Sequence, residues 1–289
     1  MPSQKASRSF WAKSILRCCD IIYKLARSDC QMDKRNLPIT FFDSGVGGIS
    51  VLREAVALMP RENFSYFGDS ANAPYGTKSV DEIRSLTLSH AERFRRQGTK
   101  ALVIACNTAT SAAISSLREI HTDIPVIGIE PALKPAALMS EHPTVIVMAT
   151  PLTVSAAKFN DLLGHYSDKA DVIPLGCPGL MEFVEDGSLD TPRLRNYLQE
   201  LLRPYLDKCS PDAIVLGCTH YPFVKPLIRQ IAGESVRIFD GGPGTARELQ
   251  RRLTQEGLLT DRTSKGSITF DESLPEKIDL CKKLLNARI

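Results

Sequence analysis

AIVLGCTHYP, at Ala213–Pro222, places four apolar residues and a glycine directly before Cys218. ALVIACNTAT, at Ala101–Thr110, repeats this order with four apolar residues, an alanine and then Cys106. A short apolar run predicts a buried strand, and polar side chains directly after such a strand indicate groups delivered to a cleft. The two stretches therefore predict two equivalent strands that each lead to a cysteine.

Strand and helix patterns alternate through the chain from Leu37 onwards, and the second half repeats the rhythm of the first. Strands separated by helices of about 10–15 residues are typical of parallel sheets. We therefore predict an α/β fold with two similar domains, mainly parallel sheets flanked by helices, a pseudo-twofold relation and an active site in the cleft between them. The predicted strands lie at 38–43, 63–70, 101–106, 125–129, 144–150, 170–177, 213–218 and 236–240.

Polar or thiol side chains stand where most of these predicted strands end. In open α/β sheets, functional groups collect at the carboxyl ends of the strands. The residues at such ends are Asp43, Asp69, Cys106, Thr150, Cys177, Cys218 and Asp240.

Several helices carry recognisable boundary signals. Ser79 and Glu82 have the spacing of a capping box, and Gly98 predicts the end of the same helix. The pattern further predicts a single helix over 153–166 and a long amphipathic helix over 191–206.

Composition excludes several classes of protein. The chain has 289 residues, 43% of them hydrophobic and 24% charged, which is typical of a globular protein. Its apolar runs are far shorter than the roughly 18 residues of a membrane helix, so we expect no membrane span. The eight cysteines are dispersed and contain no CxxC pair, which predicts reduced thiols in the cytoplasm and no metal site.

Residues 1–36 read as an N-terminal extension. Residues 1–31 hold six basic and two acidic residues, a charge of +4 in a chain of net charge +3, so the remainder carries −1. We see no basic face that indicates nucleic-acid binding. Three interpretations stay open for this segment: a docked amphipathic helix, a disordered tail, or a misassigned start with Met32 as the true first residue.

Two thiols that face one carbon from opposite sides suit inversion of its configuration. One thiolate removes a proton and the other thiol supplies one, which a group with an ordinary pKa of about 8.5 can do. Asp43 and His220 are placed to assist, one in each half. Each residue also has a plainer interpretation: a single cysteine as a small buried side chain, Asp43 as a helix N-cap, and His220 as a loop histidine.

The glycine turn DSGVGG at 43–48 matches neither the GxGxxG fingerprint nor a P-loop. Helix N-termini bind carboxylates as well as phosphates. We interpret this turn, and those after Cys106 and Cys218, as cradles for carboxylates. A small dicarboxylate with an ammonium group would suit them.

FDSGVGG, PYG, CNTAT, EPALKPA and LGCTHYP, in this order, resemble the glutamate racemases of the cofactor-independent Asp/Glu racemase superfamily. The resemblance runs from about Leu37 to about Leu253. It implies interconversion of L-glutamate and D-glutamate without pyridoxal phosphate or metal, and a supply of D-glutamate for peptidoglycan, the cell wall and cell shape. It also implies a first domain of 37–133 with 242–289, a second domain of 134–241 and, as one assembly, a homodimer.

The same resemblance assigns residues. It implies that Cys106 and Cys218 are the acid/base thiols, that Asp43 and His220 assist them, and that Asp69 and Glu185 are further carboxylates linked to the site. The segments that it implies for substrate binding are Asp43, Ser44, Pro74, Tyr75, Gly76, Asn107, Thr108, Thr150, Thr219 and His220.

Two positions depart from the family pattern: Thr110 stands where serine is common, and Ala149 where glycine is frequent. His220 favours glutamate, because related aspartate racemases have Thr-Glu after the second cysteine. The alternatives are a racemase of another small acid such as aspartate or a hydantoin, a non-catalytic amino-acid-binding protein, and a Cys-His hydrolase that needs only one cysteine.

Overall fold

The computed structural model describes residues 33–289, which form two parallel sheets with helices on their faces. Residues 1–32, which make up most of the predicted extension, lie outside the described residues, so its three interpretations stay open. The eight predicted strands are all present, and a ninth follows them in this part of the chain. In chain order they are β1 Ile39–Asp43, β2 Phe64–Gly68, β3 Ala101–Ile104, β4 Val126–Gly128, β5 Thr144–Ala149, β6 Asp171–Gly176, β7 Ala213–Leu216, β8 Arg237–Asp240 and β9 Ile268–Glu272.

The two sheets repeat one topology. The first sheet has the order β4-β3-β1-β2-β9 and the second β6-β5-β7-β8, and all their pairings are parallel. The neighbouring strands β4-β3-β1-β2 of the first sheet correspond to β8-β7-β5-β6 of the second. In chain order within each unit, both sets read fourth, third, first, second. This repeat confirms two similar α/β units, as the predicted pseudo-twofold relation requires. We call the sheet that contains β1, with its helices, the first unit, and the sheet that contains β5, with its helices, the second unit.

Both faces of the first sheet are covered, which explains why its strands read as continuous apolar runs. Phe41 and Val103 belong to the hydrophobic cluster on one face, whereas Phe42 and Ile104 belong to the cluster on the other. Successive side chains of a strand point to opposite faces, so a strand buried on both sides needs apolar residues at every position. All five residues of β1 are buried, including Asp43 at its end.

The helices are α1 Ile49–Leu58, α2 Val80–Gln97, α3 Asn107–Ile120, α4 Leu133–Ala137, α5 Pro151–Ser155, α6 Ala157–Gly164, α7 Leu180–Glu185, α8 Pro192–Cys209, α9 Lys225–Ala232, α10 Gly242–Gln255 and α11 Ile278–Leu285. The capping box of Ser79 and Glu82 is confirmed, and Gly98 ends α2 in the left-handed conformation with φ 87°. Of the helices in residues 33–289, none is long and apolar enough to cross a membrane.

The single helix predicted over 153–166 is wrong. The chain forms α5 and α6 instead, with extended backbone at Ala156 between them (φ −72°, ψ 137°). Thr150 caps α5 and Pro151 occupies its first position. The Thr153 hydroxyl of α5 lies 3.3 Å from the Thr108 hydroxyl of α3. This contact crosses between the two units and joins α5 to α3.

The C-terminal segment completes the first sheet. Strand β9 pairs with β2, from Phe64 opposite Ile268 to Gly68 opposite Glu272. The sequence analysis predicts no strand after 236–240, because the apolar and polar alternation of ITFDE covers only five positions. The predicted domain boundaries, 37–133 with 242–289 and 134–241, stay a prediction.

A buried ion pair ties this segment to the opposite, amino-terminal edge of the same sheet. Lys100 is fully buried and pairs with Glu62, which is 3% exposed. The Lys100 ammonium also donates to the carbonyl of Leu258 at 3.0 Å, and Glu62 accepts from the Thr260 N–H at 2.8 Å. The pair therefore joins the start of β3 to the chain that leads into β9.

We expect Lys100→Met to destabilise the protein by about 3–5 kcal/mol, because it leaves the Glu62 carboxylate buried without its cation. The measurement is the urea midpoint followed by circular dichroism. Arg251→Ala is the control, since its ion pair with Glu248 is exposed on both sides and exposed pairs contribute little. Equal shifts of the midpoint in the two variants would contradict a structural role for the buried pair.

Candidate active site

One cavity between the two units receives both cysteines. Cys106 comes from the first unit and Cys218 from the second, and each stands two residues after the end of its strand. The residues that line this cavity are Ser44, Tyr75, Gly76, Cys106, Asn107, Thr108, Thr150, Met181, Gly217, Cys218, Thr219 and His220. Strand ends of the two different units therefore bring both thiols to one cavity.

The small residues before the cysteines allow the close approach of neighbouring elements. Gly217 precedes Cys218, and a Cβ at this glycine would lie 2.9 Å from the carbonyl oxygen of Met148. Ala105 takes the equivalent place before Cys106 and is fully buried. A larger side chain at either position would push the strand end, and with it the cysteine, out of place.

Cys106 is held at the N-terminus of α3. Its sulfur accepts from the N–H of Ala109 at 3.4 Å and lies 3.4 Å from the hydroxyl of Ser44. Burial raises the pKa of Cys106 to about 12, and the neighbouring charge of Asp43 adds to this shift. In the free protein Cys106 is therefore a neutral thiol that can supply a proton.

Cys218 faces an imidazole that is itself held by a carboxylate. The sulfur lies 3.6 Å from Nδ1 of His220, and Nε2 of His220 lies 2.8 Å from Oε1 of Glu185. Burial opposes a charge on His220, but its hydrogen bonds with Cys218 and Glu185 prevail and raise its pKa well above the ordinary value. For Glu185, burial is likewise outweighed by the hydrogen bond from His220, and its pKa is lowered. These directions correspond to an imidazolium between a carboxylate and a sulfur.

Asp43 lies behind the cavity wall and is bonded to both units. Its Oδ1 accepts from the Thr219 hydroxyl at 3.2 Å and its Oδ2 from the Gly45 N–H at 3.1 Å. Burial raises the pKa of Asp43 to about 6, although attraction to His220 opposes the shift. The interpretation of Asp43 as a helix N-cap is wrong, since α1 begins after Gly48 and has no side-chain cap.

Asp69 is further from the cavity and contacts it through Tyr75. The Tyr75 hydroxyl donates to Oδ2 of Asp69 at 2.7 Å, and Asn72 donates to both carboxylate oxygens. Nε2 of His90 lies 3.2 Å from the same Oδ2. Burial raises the pKa of Asp69, but these contacts outweigh burial and lower it. The structure thus brings Asp69 behind Tyr75 and not beside either thiol.

Eight of the ten residues expected to bind substrate line the cavity: Ser44, Tyr75, Gly76, Asn107, Thr108, Thr150, Thr219 and His220. Asp43 and Pro74 are outside the lining. Met181, from α7, was not predicted, because an apolar residue in a helix carries no sequence signal for a site. Oδ1 of Asn107 is buried and has no hydrogen-bond partner among residues 33–289, which leaves an acceptor available for a bound group.

Known proteins share this chain's sequence over most of its length. The family model described as Asp/Glu/Hydantoin racemase matches residues 49–249. A glutamate racemase from Clostridium perfringens is 52% identical over 260 residues, which cover 89% of this chain and 100% of that protein. One from Clostridium novyi is 51% identical over 257 residues, covering 88% of this chain and 99% of that protein.

Solved structures agree with the fold. A glutamate racemase from Bacillus anthracis has a TM-score of 0.79 at 32% identity, over 88% of this chain and 96% of that one. A glutamate racemase from Francisella tularensis, in complex with D-glutamate, has a TM-score of 0.76 at 29% identity, over the same shares of the two chains. With the repeated fold and the two cysteines in one cavity, these matches show that the chain belongs to the Asp/Glu/hydantoin racemase family and, within it, to the glutamate racemases.

Proposed function

We propose that this protein interconverts L-glutamate and D-glutamate by proton transfer between Cys106, Cys218 and the α-carbon of the substrate. The observation that carries the proposal is the presence of both thiols, from equivalent strand ends of the two units, in the lining of one cavity. The D-glutamate held by the related Francisella tularensis protein supports glutamate as the substrate.

In this mechanism the thiolate on one side of the substrate removes the α-proton. The C–H bond breaks, an S–H bond forms, and the electron pair stays on the α-carbon next to the carboxylate. The thiol on the opposite side then gives its proton to the other face of that carbon. Each sulfur must stand roughly 3–3.5 Å from the α-carbon for this exchange.

The two thiols have different surroundings in the free protein. Burial holds Cys106 as a thiol, whereas Cys218 faces His220, whose raised pKa favours the imidazolium. We infer that each cysteine acts as the base for one enantiomer and as the acid for the other, with the roles exchanged when the opposite enantiomer is bound.

Binding of the substrate relies on polar groups of the cavity wall. The N-terminus of α3, at Asn107 and Thr108, suits a carboxylate because its N–H groups point outward and its dipole favours an anion. The unpartnered Oδ1 of Asn107 suits the substrate ammonium, which can donate to it. The carboxylate of Asp43 supplies negative charge on the same side of the cavity. Attraction between this carboxylate and the substrate ammonium would offset the cost of burying the two charges.

The cavity is narrow, and both cysteines in it are largely buried. Cys106 and Cys218 are 5% and 8% exposed, so the two units must move apart for substrate to reach them. Contacts that cross between the units, such as Thr219 with Asp43 and Thr108 with Thr153, would then break and re-form. A dry site prevents solvent from protonating the α-carbon on either face before the second thiol does.

We further propose that the product serves peptidoglycan synthesis in the cytoplasm, where thiols stay reduced. The five cysteines that the structure describes are all free. A homodimer stays a prediction.

A panel of glutamate, aspartate and hydantoin substrates, followed by circular dichroism, tests the substrate: turnover of aspartate or a hydantoin but not glutamate would overturn the assignment.

We expect Cys106→Ala and Cys218→Ala each to lower racemisation by about 10²–10⁴-fold, because each removes one acid/base group. In deuterium oxide, inverted product of the unmodified protein should carry deuterium at the α-carbon. Cys209→Ala is the control, since Cys209 ends α8 and is not part of the cavity lining. Inverted product without solvent deuterium would rule out the two-thiol mechanism, and a loss in only one of the two variants would indicate single-cysteine chemistry.

We expect kcat/KM to fall as the pH drops below about 6. The pKa of Asp43 is raised to about 6, so below that pH Asp43 is protonated and the negative charge that the proposed mechanism uses is lost. Asp43→Asn should lower the rate at pH 8 and abolish this acid limb. The measurement is the pH profile of kcat/KM for both proteins. An acid limb that is the same in Asp43→Asn would assign the titration to another group.

A further inference from the structure

Lys277 lies in a 3-10 turn, Pro275–Lys277, between β9 and α11. The turn follows the stretch that matches the racemase family model, which ends at residue 249. It belongs to the first unit, because β9 pairs within the first sheet. The side chain of Lys277 nevertheless reaches α7 of the second unit.

The ammonium group of Lys277 contacts Glu185 at two places. Its ammonium donates to the backbone carbonyl of Glu185 at 2.6 Å and lies 3.4 Å from Oε2 of the same residue. The side chains of Lys277 and Glu185 are 23% and 11% exposed, so water screens this pair less than a surface pair.

The second carboxylate oxygen of Glu185 serves the active site. Oε1 accepts from the N–H of Val46 at 2.8 Å and lies 2.8 Å from Nε2 of His220. The fit here is close, because a Cβ on Gly45 would lie 2.0 Å from this oxygen. Lys277 thus holds one edge of the carboxylate while the other edge meets the imidazole beside Cys218.

We propose that Lys277 is a positioning residue for the racemisation: it fixes Glu185 as an anion in the orientation that keeps His220 aligned with the sulfur of Cys218. The effect on catalysis rests on the proposed function. The effect on the position of Glu185 rests only on the contacts of that residue. Lys277 acts through two other side chains and does not touch the cavity lining.

The charges around Glu185 explain why a cation is needed there. The carboxyl groups of Asp43 and Glu272 both feel repulsion from Glu185. His220 and Lys277 supply the opposing positive charge, and both lower the pKa of Glu185. The carboxyl groups of Asp43, Glu185 and Glu272 lie near one another. Without Lys277, His220 would be the one cation left of the two that oppose their charge.

The test compares Lys277→Met with Lys277→Arg, which keeps the charge, and with Lys282→Met as a matched control. Lys282 lies on α11 of the same segment and pairs with the exposed Asp279. We expect Lys277→Met to lower kcat about tenfold with little change in KM, the effect of one lost charge-assisted contact. Lys277→Arg should recover most of kcat, and Lys282→Met should equal the unmodified protein.

Isotope effects then locate the defect at one thiol. The enantiomers have equal free energies, so kcat/KM must change equally in both directions. With substrate deuterated at the α-carbon, however, a slower step at Cys218 should raise the isotope effect for the enantiomer that Cys218 deprotonates and lower it for the other. Isotope effects that stay unchanged or move together, or an equal loss in Lys282→Met, would overturn the proposal.

A measurement without turnover separates this inference from the proposed function. The protein has five histidines, and His220→Gln identifies the His220 signals in nuclear magnetic resonance spectra. We expect the Nε2 proton of His220 to exchange with water faster in Lys277→Met than in the unmodified, Lys277→Arg and Lys282→Met proteins. Equal exchange rates would overturn the positioning role. Absence of racemisation by the unmodified protein would overturn the proposed function alone.

Discussion

The carboxyl ends of parallel strands meet at one edge of a sheet, and the site of this protein depends on that constraint. Each of the nine strands in residues 33–289 ends in a residue with a carboxylate, hydroxyl or thiol, or is followed by one within two positions. Because the two units repeat the same strand order, their third strands present Cys106 and Cys218 in equivalent places. Two copies of one topology that face each other thus produce a pair of thiols around one cavity.

Two buried carboxylates join the units at that cavity. Asp43 of the first unit accepts from Thr219 of the second, and Glu185 of the second accepts from the Val46 N–H of the first. Both contacts require the units to be closed. The two carboxylates therefore keep these hydrogen-bond partners only while the units are closed over the cavity.

Burial of the Asp43 carboxylate lowers the free energy of unfolding at neutral pH. The pKa of Asp43 is about 6 in the folded protein against an ordinary 3.8. A raised pKa favours the folded state below about pH 4, and this contribution is lost as the pH rises through 6. At neutral pH the ionised, buried Asp43 is unfavourable by about 3 kcal/mol. Burial of apolar side chains on both faces of the first sheet opposes this loss.

Local patterns in the sequence determined the alternation of strands and helices, the capping of α2 and the places of both cysteines, because each depends on neighbouring residues. The resemblance to family motifs added Glu185, and it linked Asp69, already placed at a strand end, to the site. Only the tertiary structure decided that α5 and α6 are separate, that β9 completes the first sheet, and that Asp69 stands behind Tyr75. Glu185 meets His220 across 35 positions and Lys277 across 92. Contacts over such distances arise from the packing of whole units, and no local periodicity encodes them.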